Sequence, residues 1–174
     1  MNARQHKFEA LIGVFHADLF RYAYWLCGDR ELAQELVQDT MLRAWRAMDR
    51  LRDEAAAKQW LITILRRELA RHYGRNRPQT VEADDQLLES PAPGPEDDAE
   101  IRVLRQAIAG LEDEYREPIT LQVVMGLSVR EIAAAMELNQ NTVLTRLFRA
   151  RKKLGEVLSE EPALAGRPAP GGPA

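Results

Sequence analysis

Cysteine is almost absent from the sequence. Cys27 is the only one in 174 residues, which excludes a disulfide within this sequence and fits a reducing compartment. No apolar stretch approaches the roughly 18–20 residues that cross a bilayer. The opening residues, Met1 to Lys7, lead into an amphipathic pattern and not into the apolar core of a signal peptide. A cytoplasmic protein without membrane insertion is therefore expected. Glycine-rich phosphate loops are missing, and His6, His16 and His72 have no metal-ligand spacing with Cys27. No catalytic residue, cofactor, metal or small-molecule substrate is expected.

Basic charge is in slight deficit, with a formal net charge of −3, and that alone argues against a nucleic-acid partner. Its distribution argues the opposite way. Residues 80–100 carry eight carboxylates and no Lys or Arg, which leaves about +5 for the rest of the chain. Residues 139–154 hold five basic side chains and no acid, and residues 62–79 hold five Arg against the single Glu68. Two basic blocks flank an acidic one, a pattern suited to a polyanion.

Proline divides the chain. Pro78, Pro91, Pro93 and Pro95 cluster in one stretch, and Pro162, Pro168, Pro170 and Pro173 in another. Proline donates no backbone hydrogen bond and obstructs the preceding helical turn, so both clusters predict irregular chain. The expected organisation is a helical bundle over 5–75, an acidic flexible linker over 76–99, a four-helix domain over 100–158 and a disordered tail over 159–174. The fold class is all-α, with two small domains and no convincing strand.

In the first block Phe8, Leu11, Ile12, Phe15, Leu19, Tyr22, Ala23 and Leu26 recur at helical spacing. Gly28 suits the end of that helix, and Asp29 can cap the next. In the second helix, running to about Met48, Ala33, Val37, Met41, Ala44 and Met48 form the buried stripe, with Trp45 at its margin. Glu35, Gln38, Asp39, Leu42 and Arg46 lie opposite, so a leucine stands among polar residues. A third helix from about Lys58 buries Leu61, Ile64, Leu65 and Leu69, while Arg67, Arg71 and Arg75 share another face. All three tryptophans, Trp25, Trp45 and Trp60, fall in this block and supply the bulk of a core.

The second block predicts helices over about 100–110 and 113–125, the latter bent or frayed near its start by Pro118. Ser128-Val129-Arg130-Glu131 is a capping box ahead of a short helix, and after a three-residue turn Asn139 caps a final helix to about Leu158. A short helix, a tight turn and a basic second helix make a helix-turn-helix. Val143, Leu147, Ala150 and Leu154 face inward on the last helix, which leaves Gln140, Asn141, Thr145, Arg146 and Arg149 pointing out. Gln and Asn pair with adenine edges, Arg with guanine, and Thr with a thymine methyl or a phosphate. Arg151, Lys152 and Lys153 suit phosphates. A solvated basic face is the plainer alternative for each charge run. The second basic set, Arg66, Arg67, Arg71, His72, Tyr73, Arg75 and Arg77, lies near the stacking surfaces of Tyr73 and Trp60, a combination suited to single-stranded DNA.

The segments Leu19–Ala23, Gly28–Arg30 and Leu36–Arg46 resemble the first domain of the extracytoplasmic-function (group IV) sigma factors, and Trp60–Arg67 resembles that domain's promoter-melting helix. Gly126–Ala133, Asn141–Val143 and Arg146–Arg151 resemble its second domain. The resemblance runs in order over about 140 residues. It implies an alternative sigma factor that binds core RNA polymerase and directs promoter-specific initiation, with promoter DNA and an anti-sigma factor as further partners. Glu35, Gln38, Asp39, Leu42 and Arg46 would dock on polymerase. Arg52, Asp53, Trp60, Arg66, Arg67, Arg71, Tyr73 and Arg75 would melt and capture the −10 element, at a cost of a few kcal/mol for a flipped base. Asn139, Gln140, Asn141, Thr142, Thr145, Arg146, Phe148, Arg149, Lys152 and Lys153 would read the −35 duplex. The linker would thread towards the polymerase active-site cleft, its carboxylates mimicking nucleic acid. Three positions depart from the family's habit. Glu137 replaces a frequent Gly, which implies a strained turn costing about 1–2 kcal/mol. Leu144 replaces a basic residue and Arg67 an Asn, so promoter sequence does not transfer.

Two other classes compete. A conventional helix-turn-helix regulator would carry an N-terminal sensor or dimerisation module, which needs neither an Arg stripe nor a polar face centred on leucine. It would bind duplex DNA alone, as a dimer, whereas a sigma factor acquires specificity with core polymerase. An inhibitor or scaffold acting through its helical surfaces is the third.

Overall fold

The computed structural model describes residues 2–75 and 98–160. The expected linker and tail lie outside the described residues, apart from 98–99 and 159–160 at their edges. The described residues form helices and no strand. Helix α1 (Ala3–Cys27) begins at Asn2, whose side chain accepts from the Arg4 amide, and ends at Gly28 in the left-handed region (φ 70°). Asp29 then caps α2 (Arg30–Arg46) by accepting from the Glu31 and Leu32 amides. Met48 lies past the end of α2, in a 3-10 turn over Met48–Arg50, and is still buried. A second 3-10 turn, Glu54–Ala56, leads into α3 (Ala57–Arg75).

The second block comprises α4 (Ala99–Ala109), α5 (Asp113–Val123), α6 (Val129–Met136) and α7 (Gln140–Ser159). Helix α5 continues through Pro118, its sixth residue, which is buried. The proline withholds one amide from the helical ladder, and burial of its ring with Ile119, Thr120 and Leu121 offsets that loss.

The expected inward faces are buried on α2 and α7, with Leu36 and Thr40 added on α2, where Thr40 donates to the Leu36 carbonyl at 2.7 Å. Helix α1 departs from its expected single stripe. Tyr24 and Trp25 are buried as well as Leu19, Tyr22 and Ala23, because the second block covers the far side of its C-terminal half. Helices α4 and α5 pack on α1, and α6 packs on α3. The buried residues of both blocks join one apolar cluster. No helix among the described residues is long and apolar enough to cross a membrane.

Candidate nucleic-acid interface

The pairing of α6 with α7 follows from three local bonding choices. Ser128 Oγ accepts from the Glu131 amide at 3.2 Å, and Glu131 Oε2 accepts from the Ser128 amide at 2.8 Å, closing the expected capping box. At the other end Glu137 takes the left-handed conformation (φ 55°, ψ 42°). Its amide donates to the Ala134 carbonyl at 3.4 Å and the Leu138 amide to the Ala133 carbonyl at 2.9 Å, the pair of bonds that closes a Schellman turn. Glycine adopts that conformation freely, whereas Glu137 holds it with its Cβ strained. Two residues on, Asn139 Oδ1 accepts from the Thr142 amide at 2.8 Å and starts α7. Asn139 and Thr142 are therefore occupied, side chain and amide respectively, in setting the angle of α7.

Val143, Leu147, Ala150 and Leu154 are buried, which fixes the rotation of α7. Gln140, Asn141, Thr145, Phe148, Arg149 and Lys152 are exposed, while Arg146 is half-buried. The side chains of Gln140, Asn141, Arg146, Arg149 and Lys152 have no hydrogen-bond or ion-pair partner among the described residues. Thr145 donates its hydroxyl to the Asn141 carbonyl at 3.0 Å. Phe148 is 69% exposed, the largest exposure among the bulky apolar residues described. Lys153 behaves differently: it donates to Glu112 Oε1 at 2.6 Å and lies 5.1 Å from the Tyr115 ring centroid. That bond lowers the Glu112 pKa and raises that of Lys153. Arg151 donates to Gln122. These two cations tie α7 to its own block.

The basic set of the first block is largely engaged. Arg66, expected on the DNA-facing surface, turns inward: it donates through Nε and Nη2 to the Glu117 carboxylate and through Nη1 to the Ala135 carbonyl at 2.6 Å. Burial disfavours its charge, yet the Glu117 bond and charge outweigh this and the pKa rises. Glu68 is 2% exposed and accepts from Arg71 at 2.6 Å, with Arg43 of α2 as its second partner. Arg75 Nε donates to the Arg71 carbonyl at 3.4 Å. Arg67 and Arg52 are exposed and have no partner among the described residues. Asp53 Oδ1 caps the 3-10 turn through the Ala55 amide at 2.9 Å, and Trp60 is half-buried against the core. Tyr73 is about half exposed, edge-on to His72, and partial burial raises its pKa.

On α2, Glu35, Gln38 and Arg46 are exposed, Asp39 is half-buried, and Leu42 is 55% exposed. Glu35, Asp39, Glu68, His72 and Arg75 line one polar groove of about 290 Å³, so the outer face of α2 adjoins the end of α3. Burial pushes the Cys27 thiol pKa up, in keeping with a packing role. Sequence reasoning missed Glu68 and Glu117. Glu68 had one signal, as the lone acid among five arginines, and Glu117 had none.

Residues 11–79 match Sigma-70 region 2 and residues 101–154 match Sigma-70, region 4. The ECF RNA polymerase sigma factor SigC of Mycobacterium tuberculosis is 33% identical over 152 residues, 84% of this chain and 80% of that one. Among solved structures, the sigma factor RpoE of Bartonella quintana, in complex with the anti-sigma factor NepR, superposes with a TM-score of 0.73. It is 26% identical, and the match covers 88% of this chain and 98% of RpoE. CnrH in complex with the cytosolic domain of CnrY gives a TM-score of 0.67 at 25% identity, covering 90% of each chain. With both sigma regions present in order, the chain belongs to the ECF family of RNA polymerase sigma factors, the alternative sigma factors that direct transcription initiation.

Proposed function

We propose that residues 5–75 form the polymerase-docking and −10 unit, that 100–158 form the −35 unit, and that 76–99 and 159–174 are linker and tail. In this reading Glu35, Gln38, Asp39, Leu42 and Arg46 bind core RNA polymerase. An exposed leucine ringed by polar side chains suits a protein partner, since it gains apolar burial there and carries no core duty here. Helix α7 enters the major groove of the −35 duplex through Gln140, Asn141, Thr145, Arg146, Phe148 and Arg149, with Lys152 on the backbone. Asn139 and Thr142 set the approach. Arg52, Asp53, Trp60, Arg67, Arg71, Tyr73 and Arg75 engage the melted −10 strand, joined by Arg66 once it is released from Glu117. The protein carries out no bond chemistry and works in the cytoplasm beside polymerase.

One observation carries this reading: α7 is fixed by an asparagine cap and four buried side chains, yet leaves the side chains of Gln140, Asn141, Arg146 and Arg149 without hydrogen-bond or ion-pair partners among the described residues. A groove of about 830 Å³ between the blocks, lined by Phe20, Tyr24, Ile101, Leu104 and Val123 among others, supports an anti-sigma partner in this chain too. Run-off transcription with core polymerase on a genomic fragment library tests the function. Discrete start sites that need both proteins are expected. Specific duplex binding by a dimer of the chain alone, with no start site in any fragment, would replace it by the conventional regulator.

A further inference from the structure

Two cations at the start of α1 belong to neither proposed binding set, yet both reach the turn that joins α2 to α3. Arg4 donates through Nη2 to the Trp45 carbonyl at 2.7 Å, and its Nη1 lies 3.5 Å from the Asp49 carboxylate. The same guanidinium stands 4.8 Å from the centroid of the Trp45 ring, and Phe8 meets that ring edge-on at 5.1 Å. Lys7, about one turn later, pairs with Glu54 at 3.5 Å. The first turns of α1 therefore grip residues 45–54 at both ends.

Between those ends lie Arg52 and Asp53, both exposed. Their backbone belongs to no α-helix: a 3-10 turn over Met48–Arg50 precedes it and another over Glu54–Ala56 follows. From the inside, Met48 and Leu51 fasten the stretch by their burial. A short irregular segment with so few anchors keeps much of its freedom, and ordering it on binding costs affinity. An exposed ion pair adds little by itself, and the Asp49 and Glu54 side chains are 80% and 74% exposed. Arg4 adds more. Its planar fork serves a carbonyl and a carboxylate at once while it lies against an aromatic ring, a combination that the point charge of lysine does not reproduce.

We infer that Arg4, with Lys7 in support, is a positioning residue for capture of the −10 strand: it holds the 45–54 turn in the form that presents Arg52 and Asp53 to a flipped base. The inference rests on the −10 reading above. Neither cation needs to touch DNA. Without the clamp the turn spends less time in its competent form, and affinity for the strand falls in proportion.

The test uses the full chain, with core polymerase and a single-stranded −10 oligonucleotide taken from a start site found by run-off transcription. Arg4→Ala should weaken binding of that strand by holoenzyme about fivefold, and should speed amide exchange at residues 47–54 of the free chain. Affinity for core polymerase and for the −35 duplex should not change. Asp49→Ala removes the partner on the turn's side, so Arg4→Ala with Asp49→Ala should bind the strand no worse than Arg4→Ala alone. If Arg4→Ala loses helical content, Asp49→Ala is read in its place. A turn that exchanges as slowly as in the parent overturns the inference, and so does a loosened turn with undiminished strand affinity. Losses that simply add overturn it as well, as does an equal loss of affinity for core polymerase, which would make Arg4 a general stabiliser. Arg52→Ala with Asp53→Ala binding the strand as well as the parent would sink the −10 reading instead, while amide exchange still decides whether α1 holds the turn.

Discussion

The two basic faces of this molecule are in opposite states. On α7 the side chains of Gln140, Asn141, Arg146 and Arg149 have no hydrogen-bond or ion-pair partner among the described residues, and the neighbouring cations Arg151 and Lys153 brace the helix. On α3 most of the cations are already spent: Arg66 on Glu117, Arg71 on Glu68, and Arg75 on a backbone carbonyl. Duplex DNA presents its grooves ready-made, so a rigid preformed face suffices to read it. A melted strand, the partner proposed for α3, does not exist until polymerase opens it, so the proposed role calls on those cations only then. On the proposed reading, the difference between the faces is a difference in when each is needed.

The largest effect should come from the α2 face proposed to recruit polymerase. Glu35→Lys with Leu42→Asp should abolish binding to core polymerase, a loss of roughly 4 kcal/mol or more, as expected where a central apolar anchor is replaced by a charge. Both side chains are exposed, so helical content and melting temperature should hold. Co-purification of the double variant with core would move the docking face elsewhere. Next comes Glu68→Gln, which strands Arg43 and Arg71 beside a buried neutral amide. A fully enclosed pair broken in this way costs about 3–5 kcal/mol, and because both arginines are half exposed we expect about 2–3 kcal/mol, read from urea unfolding. A variant as stable as the parent would mean that the α3 cations are not held as described, and the contrast with α7 would fade.

The matching change on the other face is smaller and of a different kind. Arg149→Ala should leave stability within about 0.5 kcal/mol, because the side chain is exposed and has no hydrogen-bond or ion-pair partner among the described residues. It should cost about 1–3 kcal/mol of discrimination between promoter and mismatched duplexes, measured by competition with holoenzyme. Equal loss on all duplexes would assign Arg149 to the backbone.

What could be seen in the sequence follows the same division. The caps at Asp29, Ser128 and Asn139 and the stop at Gly28 were legible, because each depends on partners within a few residues. So was the rotation of α7, since its buried stripe is periodic. The burial of Tyr24 was not, because it depends on α4 and α5 arriving from some 80 residues away, across a stretch that has no periodicity of its own. The pairing of Arg66 was hidden for the same reason: its partner Glu117 is 51 residues distant, and a cation without a visible partner reads as available. The outward-facing side chains of α7 could therefore be read from local pattern, whereas the partners of those where the blocks meet could not.

The smallest expected effect bears on how α7 is aimed. Glu137 holds a left-handed conformation at the turn between α6 and α7, a position that glycine occupies without strain. Relief of that strain is worth about 1 kcal/mol. Two terms oppose it: glycine loosens the unfolded chain, and the Glu137 charge, which acts on Arg66, is lost. The charge is exposed and contributes only a few tenths of a kcal/mol. Glu137→Gly should therefore stabilise the protein by about 0.5 kcal/mol in urea unfolding. Glu137→Asn separates the terms, since asparagine tolerates the conformation, lacks the charge and leaves the unfolded chain nearly unchanged. If both variants are less stable than the parent, the attraction of Glu137 to Arg66 outweighs the strain of the turn.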